Sequence, residues 1–391
     1  MTQVAWRLRG MRESVIREMT RLALQHNAVN LSQGFPDFAP ASEIIAAAHR
    51  ALDDGFNQYA VTWGVPALRD AIQARMKKWY GLDYDAARHI TVMCGVTEAI
   101  VAALMAVANP GDEVVIIEPY HENYVAACAF AGALPVFVPL EPPRYELDLE
   151  RLRRAFSAKT RAILINTPHN PTGRVFTRAE LEGVAALCRE FDAVCITDEI
   201  YDHILYDDHV HIPMATLDGM YERTVTIGGL GKTFALTGWR LGYACTPEPL
   251  SNALRTVHDF TTICAPTPLQ HAAVAALTLP DAYYTQLKND YAARRAKMMG
   301  MLEAAHLRAT PPEGAYYVMA DFSAWSREMD DFAFAEFMTA QVGVAVVPGS
   351  SFYHTAGLGK SQVRFAFAKK IETLDAAEAR LLNAAPREVF A

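Results

Sequence analysis

The runs EVVIIE (113–118), RAILIN (161–166) and AVCITDE (193–199) are short, almost wholly apolar between their ends, and separated by longer stretches of helical pattern. With ITVMC (90–94) and LPVFVPL (134–140) they make an alternation between about residues 40 and 280. That alternation predicts an α/β fold, a mainly parallel sheet covered by helices on both faces, because nearly continuous apolar strands suit a sheet buried on both sides. Such sheets bind ligands beyond the carboxyl ends of their strands. The polar residues that follow the runs, 95–98, 119–124, 167–173 and 198–201, are therefore the first candidates for a site.

Outward from this block the texture changes. DAYYTQLKNDYAARRAKMMGMLEAAH (281–306) reads as one long amphipathic helix, and AYYVMA (315–320) and VRFAFA (363–368) as isolated strands between helices. The spacing predicts a smaller α+β domain, 281–391, joined by the N-terminal segment 1–40, beside a large domain spanning 41–280. No repeat or low-complexity tract interrupts either part.

Composition narrows the functional class. A chain of 391 residues, 51% hydrophobic and 20% charged, has the make-up of an ordinary globular protein with room for two domains. The formal charge of −8 is spread without a basic block, which argues against nucleic acid and against a polybasic membrane patch. The N-terminal MTQVAWRLRGMRES lacks the apolar core of a signal peptide, and no stretch approaches the roughly 20 apolar residues of a spanning helix, so the expected location is the cytoplasm. Cys94, Cys128, Cys188, Cys195, Cys245 and Cys264 lie in apolar surroundings with no CxxC pair, and are expected to be reduced, with no disulfide and no metal site.

The stretch IGGLGKTFALTGWRLGY (227–243) places one lysine, Lys232, in a glycine-rich loop between apolar runs. A lysine in such a pocket loses solvation, and its neutral amine can condense with an aldehyde. Taken alone, the stretch leaves open a surface lysine in a flexible loop.

Four motifs decide between these readings. LSQGFPDF (31–38), NTPHNPTGRVF (166–176), TDEIYDHI (197–204) and GKTFALTGWRLGY (231–243) resemble, in order and spacing, the class I/II aminotransferases of the aspartate-aminotransferase fold, closest to the kynurenine, glutamine and methionine branch. The resemblance covers essentially the whole chain. It implies a seven-stranded, mainly parallel sheet sandwiched by helices (fold type I), pyridoxal 5'-phosphate as cofactor, and Lys232 carrying it as a Schiff base. Asp198 would then keep the ring nitrogen protonated, with Tyr201 and Asn170 donating to the ring 3-oxygen and His121, beside Tyr120, stacking on the ring. Gly95, Val96, Thr97 and Arg240 would bind the phosphate, and Tyr59 would reach the phosphate of the neighbouring subunit in a homodimer. Arg364, Gly34 and Asn170 would hold the substrate α-carboxylate.

Plainer roles stand beside these: helix caps for Asp198 and Thr97, a core position for Tyr59, and a structural salt bridge for Arg364. Histidine at 121 suggests a titration near neutral pH. Gly229 departs from the family, which often has a phosphate-binding serine three residues before the lysine; this puts cofactor affinity in question.

The implied reaction has two halves. An L-amino acid gives up its nitrogen and leaves as a 2-oxo acid, then a second 2-oxo acid takes the nitrogen, with Lys232 as the base at the substrate Cα. The favoured donors are methionine, glutamine or an aromatic amino acid, with Trp6, Phe35, Trp63, Tyr120, Phe352 and Tyr353 as candidates for an apolar side-chain pocket. Aspartate transamination, carbon–sulfur β-lysis of cysteine conjugates, a DNA-binding regulator on the same fold and a pure scaffold are the alternatives. No second cation for a distal carboxylate can be assigned from the sequence.

Overall fold

The structure is a computed structural model that describes residues 5–8, 11 and 13–386, with the Trp6 side chain outside the description. Seven strands form the principal sheet: β1 (Ile90–Met93), β2 (Glu113–Glu118), β3 (Leu134–Pro139), β4 (Thr160–Asn166), β5 (Val194–Asp198), β6 (Thr224–Gly229) and β7 (Gly242–Cys245). Their spatial order is β1-β7-β6-β5-β4-β2-β3. β2 to β6 pair in parallel, while β7 runs antiparallel to both β6 and β1.

Strand periodicity divides the side chains between two cores. Val115, Ile117, Ile163, Ile165 and Cys195 pack on one face with Leu181, Val184 and Leu187 of the helix Arg178–Glu190. Val114, Ile116, Leu164, Ile196 and Ile227 pack on the other with Ala99, Ala103 and Leu104 of the helix Gly95–Val107. Both faces are thus dry, which is why these strands read as apolar runs rather than alternating ones. β6 and β7 escaped that reading. Their sequences, TVTIGG and GYAC, carry glycine and threonine where apolar residues would signal a strand, and their pairing to β5 and β1 places them.

The helix Asp281–Ala304 buries Tyr284, Leu287, Tyr291, Met298, Met301 and Leu302, a stripe at helical spacing. The strands expected to be isolated are in fact neighbours. Gln362–Ala366 lies between Tyr317–Asp321 and Val347–Pro348 in a four-stranded antiparallel sheet, with Met319 opposite Arg364. Val29–Asn30 pairs with Val344–Ala345, and Leu31 bonds through its N–H to Ala345 O (3.0 Å) and through its carbonyl to the N–H of Ala366 (2.8 Å). These bonds carry the N-terminal segment to the C-terminal sheet and set Ser32–Gly34 beside Arg364. The four fully buried cysteines, Cys128, Cys188, Cys195 and Cys245, and the half-buried Cys94 and Cys264 are all unpaired thiols. No described helix is long and apolar enough to cross a membrane.

Candidate active site

Strand ends converge on one cavity. Its walls include Gly34, Gly95, Val96, Thr97, His121, Asn170, Asp198, Tyr201, Lys232, Arg240 and Arg364, so eleven of the twelve site residues expected from sequence meet there. Tyr59 is the exception. It is 79% exposed, which removes the core role, and it borders a separate surface hollow with Phe56, Val61 and His271.

β5 ends in Asp198, which is buried and accepts hydrogen bonds from Tyr124 Oη (2.8 Å) and the N–H of Ile200 (3.3 Å). Burial pushes its carboxyl up to about 6, against the pull of those donors and of the Lys232 charge. A carboxylate this dry lacks a full counter-charge among the described residues. Its side chain caps no helix. At the end of β4, Asn166 donates from Nδ2 to Asp198 O (2.7 Å) and accepts from the N–H of Asn170 (2.7 Å), so it locks the 166–171 turn to the Asp198 turn.

Beyond β6 the chain turns to Lys232, whose Nζ donates to Gly34 O (2.9 Å) and lies 5.8 and 5.6 Å from the ring centres of Tyr201 and Tyr316. The Tyr201 and Tyr317 hydroxyls are 3.0 Å apart, and burial raises the Tyr201 phenol well above its ordinary value. Gly34 admits no side chain: a Cβ there would sit 1.8 Å from Tyr317 Oη.

After β1, Gly95 (φ +78°) opens the helix Gly95–Val107, and no side chain caps its first amides. The Thr97 hydroxyl accepts from Asn123 Nδ2 (3.0 Å), so it is not the cap. β7 presses Gly242 against this turn, where a Cβ would lie 2.6 Å from Gly95 C. Arg240 lies over Gly95, where a Cβ would meet its Nη2 at 2.6 Å. Uncapped amides and a guanidinium side by side are chemically suited to an anion.

Gly229 also has a packing reason. A Cβ there would come 2.7 Å from Ile200 Cδ1 and 3.2 Å from Val96 Cγ2, so a serine does not fit without displacing them.

Arg364 is 1% exposed, donates from Nη1 to Asn170 Oδ1 (3.0 Å) and from Nη2 to Ser32 O (2.6 Å), and leaves Nε buried without a partner. It lies 4.5 Å from the ring centre of Tyr317 and 4.8 Å from that of Phe352. No carboxylate among the described residues bonds to it, so the structural salt bridge is absent; its two partners are an amide and a backbone carbonyl.

Several sequence readings change here. His121, not Tyr120, lines the cavity; Tyr120 turns away to stack on Phe137 (5.5 Å). Burial, helped by the charges of Lys232, Arg364 and Arg17, pushes His121 down to about 3, so it stays neutral at physiological pH and the expected titration is lost. None of Phe35, Trp63, Tyr120, Phe352 and Tyr353 forms the cavity wall, and the Trp6 side chain lies outside the described residues. Ser14, Ile16, Arg17, Gln33, Glu122, Asn123 and Tyr317 form the wall instead. Of these, Glu122 and Asn123, in the 119–124 stretch after a strand, and Gln33, inside LSQGFPDF, carried a positional signal.

These walls fit pyridoxal phosphate: a buried carboxyl lacking a cation, an uncapped helix start with an arginine over it, and one lysine between them. When bound, that cofactor supplies an aldehyde for an amine and a cationic ring that accepts the electron pair left at Cα.

Comparison with known proteins agrees. The family model described as aminotransferase class I and II matches residues 26–381. The chain is similar to the probable N-succinyldiaminopimelate aminotransferase DapC of Mycobacterium tuberculosis, 39% identical over 97% of this chain and 98% of that protein. It is 36% identical to human kynurenine–oxoglutarate transaminase 1, over 96% of this chain and 97% of the other. Among solved structures, Escherichia coli YbdL, described as having a methionine aminotransferase function, superposes with a TM-score of 0.93 at 34% identity, covering 98% of this chain and all (100%) of that one.

Proposed function

This chain belongs to the class I and II aminotransferases, and from that premise we propose that its amino donor is an L-amino acid with an uncharged side chain, of the methionine, glutamine or aromatic type. The enzyme is a pyridoxal-phosphate-dependent transaminase acting on amino acids and 2-oxo acids. One observation carries the donor assignment: among the described residues that line the cavity, Arg364 is the only fully buried cation. A dry, fixed guanidinium grips one carboxylate through two parallel bonds, and no second buried guanidinium lines the described wall for a dicarboxylic donor, Arg17 and Arg240 there being exposed. Ile16 and Tyr317 offer apolar surface instead. The YbdL likeness supports the same class.

The roles assigned to individual residues are part of this reading. Lys232 would carry the cofactor as a Schiff base and, once freed by the substrate amine, its Nζ removes the Cα proton; without the cofactor it donates to Gly34 O. Asp198 would pair with the ring nitrogen and Tyr201 and Asn170 with the 3-oxygen, while Gly95, Val96, Thr97 and Arg240 would take the phosphate. His121 would lie on the ring, and Arg364 and Gly34 would hold the substrate carboxylate. The chain then divides into a large unit, 41–280, holding the principal sheet, and a small unit, 1–40 with 281–391, supplying Gly34 and Arg364. Tyr59, with the exposed Val61 and Phe260 (90%), supports a homodimer in which Tyr59 reaches the partner's phosphate.

The test is the absorption spectrum of the cofactor-loaded protein as single amino acids are added without any 2-oxo acid. Conversion to the aminated form by methionine, glutamine or an aromatic amino acid, and not by aspartate, is the expected result. Faster conversion by aspartate overturns the donor assignment. Release of pyruvate and ammonia from a cysteine conjugate identifies a β-lyase.

A further inference from the structure

Four consecutive main-chain carbonyls, those of residues 32–35, are each held by a cationic side chain. Arg364 Nη2 donates to Ser32 O (2.6 Å), Lys232 Nζ to Gly34 O (2.9 Å), and Lys369 Nζ to both Gln33 O (3.3 Å) and Phe35 O (2.9 Å). The Tyr316 hydroxyl adds a neutral bond to Gly34 O (3.0 Å). Lys369 therefore brackets Gly34, taking the carbonyl on either side of it. It is 2% exposed, its Nζ lies 3.9 Å from the ring centre of Phe35, and it does not line the cavity, so it adds no second grip for a dicarboxylic substrate. Its own backbone is fixed: the N–H donates to Phe367 O (2.8 Å), and the carbonyl accepts from Arg294 Nε (2.7 Å) of the helix Asp281–Ala304. Just beyond it, the Lys370 N–H and the Thr373 hydroxyl donate to Asp37 (2.5 and 2.7 Å), which ties the far end of the segment to the start of the helix Ile371–Ala384.

A charge buried against neutral carbonyls is costly. Burial pushes the Lys369 ammonium down from 10.5 to about 8, against the pull of Asp37 and with the push of the Lys232 charge, so it remains protonated at pH 7. An apolar side chain of the same length would fill the space without that cost, so the charge has a use beyond packing. The other two cations have duties in the reaction: Lys232 serves the cofactor, and Arg364 the substrate carboxylate. Lys369 has none, and its hold on the segment is the one that the reaction does not call upon. We propose that Lys369 is a positioning residue that keeps the 32–35 segment, and with it the Gly34 backbone, against the substrate α-carboxylate once Lys232 has left Gly34 O for the cofactor. It acts through Gly34 and touches neither cofactor nor substrate. The inference rests on the transaminase reading of this cavity.

The experiment uses the full, cofactor-loaded chain, mixed with methionine in single turnover. Lys369→Met is expected to raise the methionine concentration that gives half the limiting rate by ~10-fold, through loss of the ammonium's two bonds, while the limiting rate itself changes by less than ~3-fold, because a grip on the carboxylate serves ground and transition states alike. Lys369→Arg, which keeps the charge, should restore part of the loss. Two readouts need no turnover. Calorimetry should show 4-(methylthio)butanoate, which is methionine without its amine, binding the Met variant ~10-fold more weakly. Hydrogen exchange of the amides of residues 32–35 should quicken while the principal sheet keeps the parent's rates. Lys369→Gln, which keeps a donor but no charge, takes the place of the Met variant in every arm if that one does not fold. An unchanged concentration dependence, a fall in limiting rate alone, or weaker binding without faster exchange at 32–35 overturns the role of Lys369 and leaves the transaminase in place. If the unmodified enzyme converts no amino acid, the reading of the cavity fails, and this inference with it.

Discussion

Replacing Asp198 by Asn should stabilise the cofactor-free protein at alkaline pH while crippling the enzyme. Burial lifts the Asp198 carboxyl from its ordinary 3.8 to about 6. A carboxyl whose folded pKa is raised holds its proton more tightly in the fold, so its contribution is fully present below 3.8 and is lost as pH rises through about 6. At 1.36 kcal/mol per pH unit, keeping it ionised at pH 8 costs the cofactor-free fold ~3 kcal/mol, and about half that at pH 5. Asparagine keeps an acceptor for Tyr124 and carries no charge. Denaturant midpoints of cofactor-stripped parent and Asp198→Asn should therefore differ by up to ~3 kcal/mol in favour of the variant at pH 8, and by less at pH 5. Adding pyridoxal phosphate should reverse the order, because only the carboxylate gains a cationic partner, and turnover of the variant should fall ~10²–10³-fold. A variant less stable than its parent at pH 8 without cofactor would refute the reasoning, since it would mean that Asp198 already has its counter-charge within the protein.

Other predictions rest on separate contacts. Lys232→Ala removes one hydrogen bond, to Gly34 O, so its thermal midpoint should move by no more than ~1 kcal/mol implies while turnover becomes negligible; substantial turnover would sink the assigned role. Arg364→Met should lower kcat/KM for every amino acid by ~10²–10⁴-fold through loss of two charge-assisted bonds, and a loss under ~10-fold would mean another group holds the carboxylate. Gly229→Ser forces a side chain to within 2.7 Å of Ile200 Cδ1, so we expect ~1–3 kcal/mol of destabilisation and no tighter cofactor binding; improved affinity in equilibrium titration would contradict the packing argument. His121→Phe should leave the shape of the pH–rate profile between pH 6 and 8 unaltered, because His121 is held at about 3 and is neutral throughout that range.

The five apolar runs, the lysine loop and the strand-end motifs were legible in the sequence, and they brought eleven expected residues into one cavity. Their signals are local: a strand buried on both faces must be apolar along its length, and a turn that approaches a ligand must be small. β6 and β7 were not legible, because strands seated by their neighbours need no apolar run of their own. The sidedness of Tyr120 and His121 is also tertiary: adjacent side chains diverge, and only the packing of Phe137 shows which one faces the cavity.

By itself the sequence determined five of the seven strands of the principal sheet, the family and the residues at the strand ends, because those depend on order and spacing along the chain. Tertiary structure alone decided that Arg364 is buried without a counterion, that Gly229 has no room for a serine, and that Arg17 and Tyr317 complete the wall. These depend on the distance between segments up to some 350 residues apart, such as Arg17 and Arg364, which the packed cores fix and composition does not.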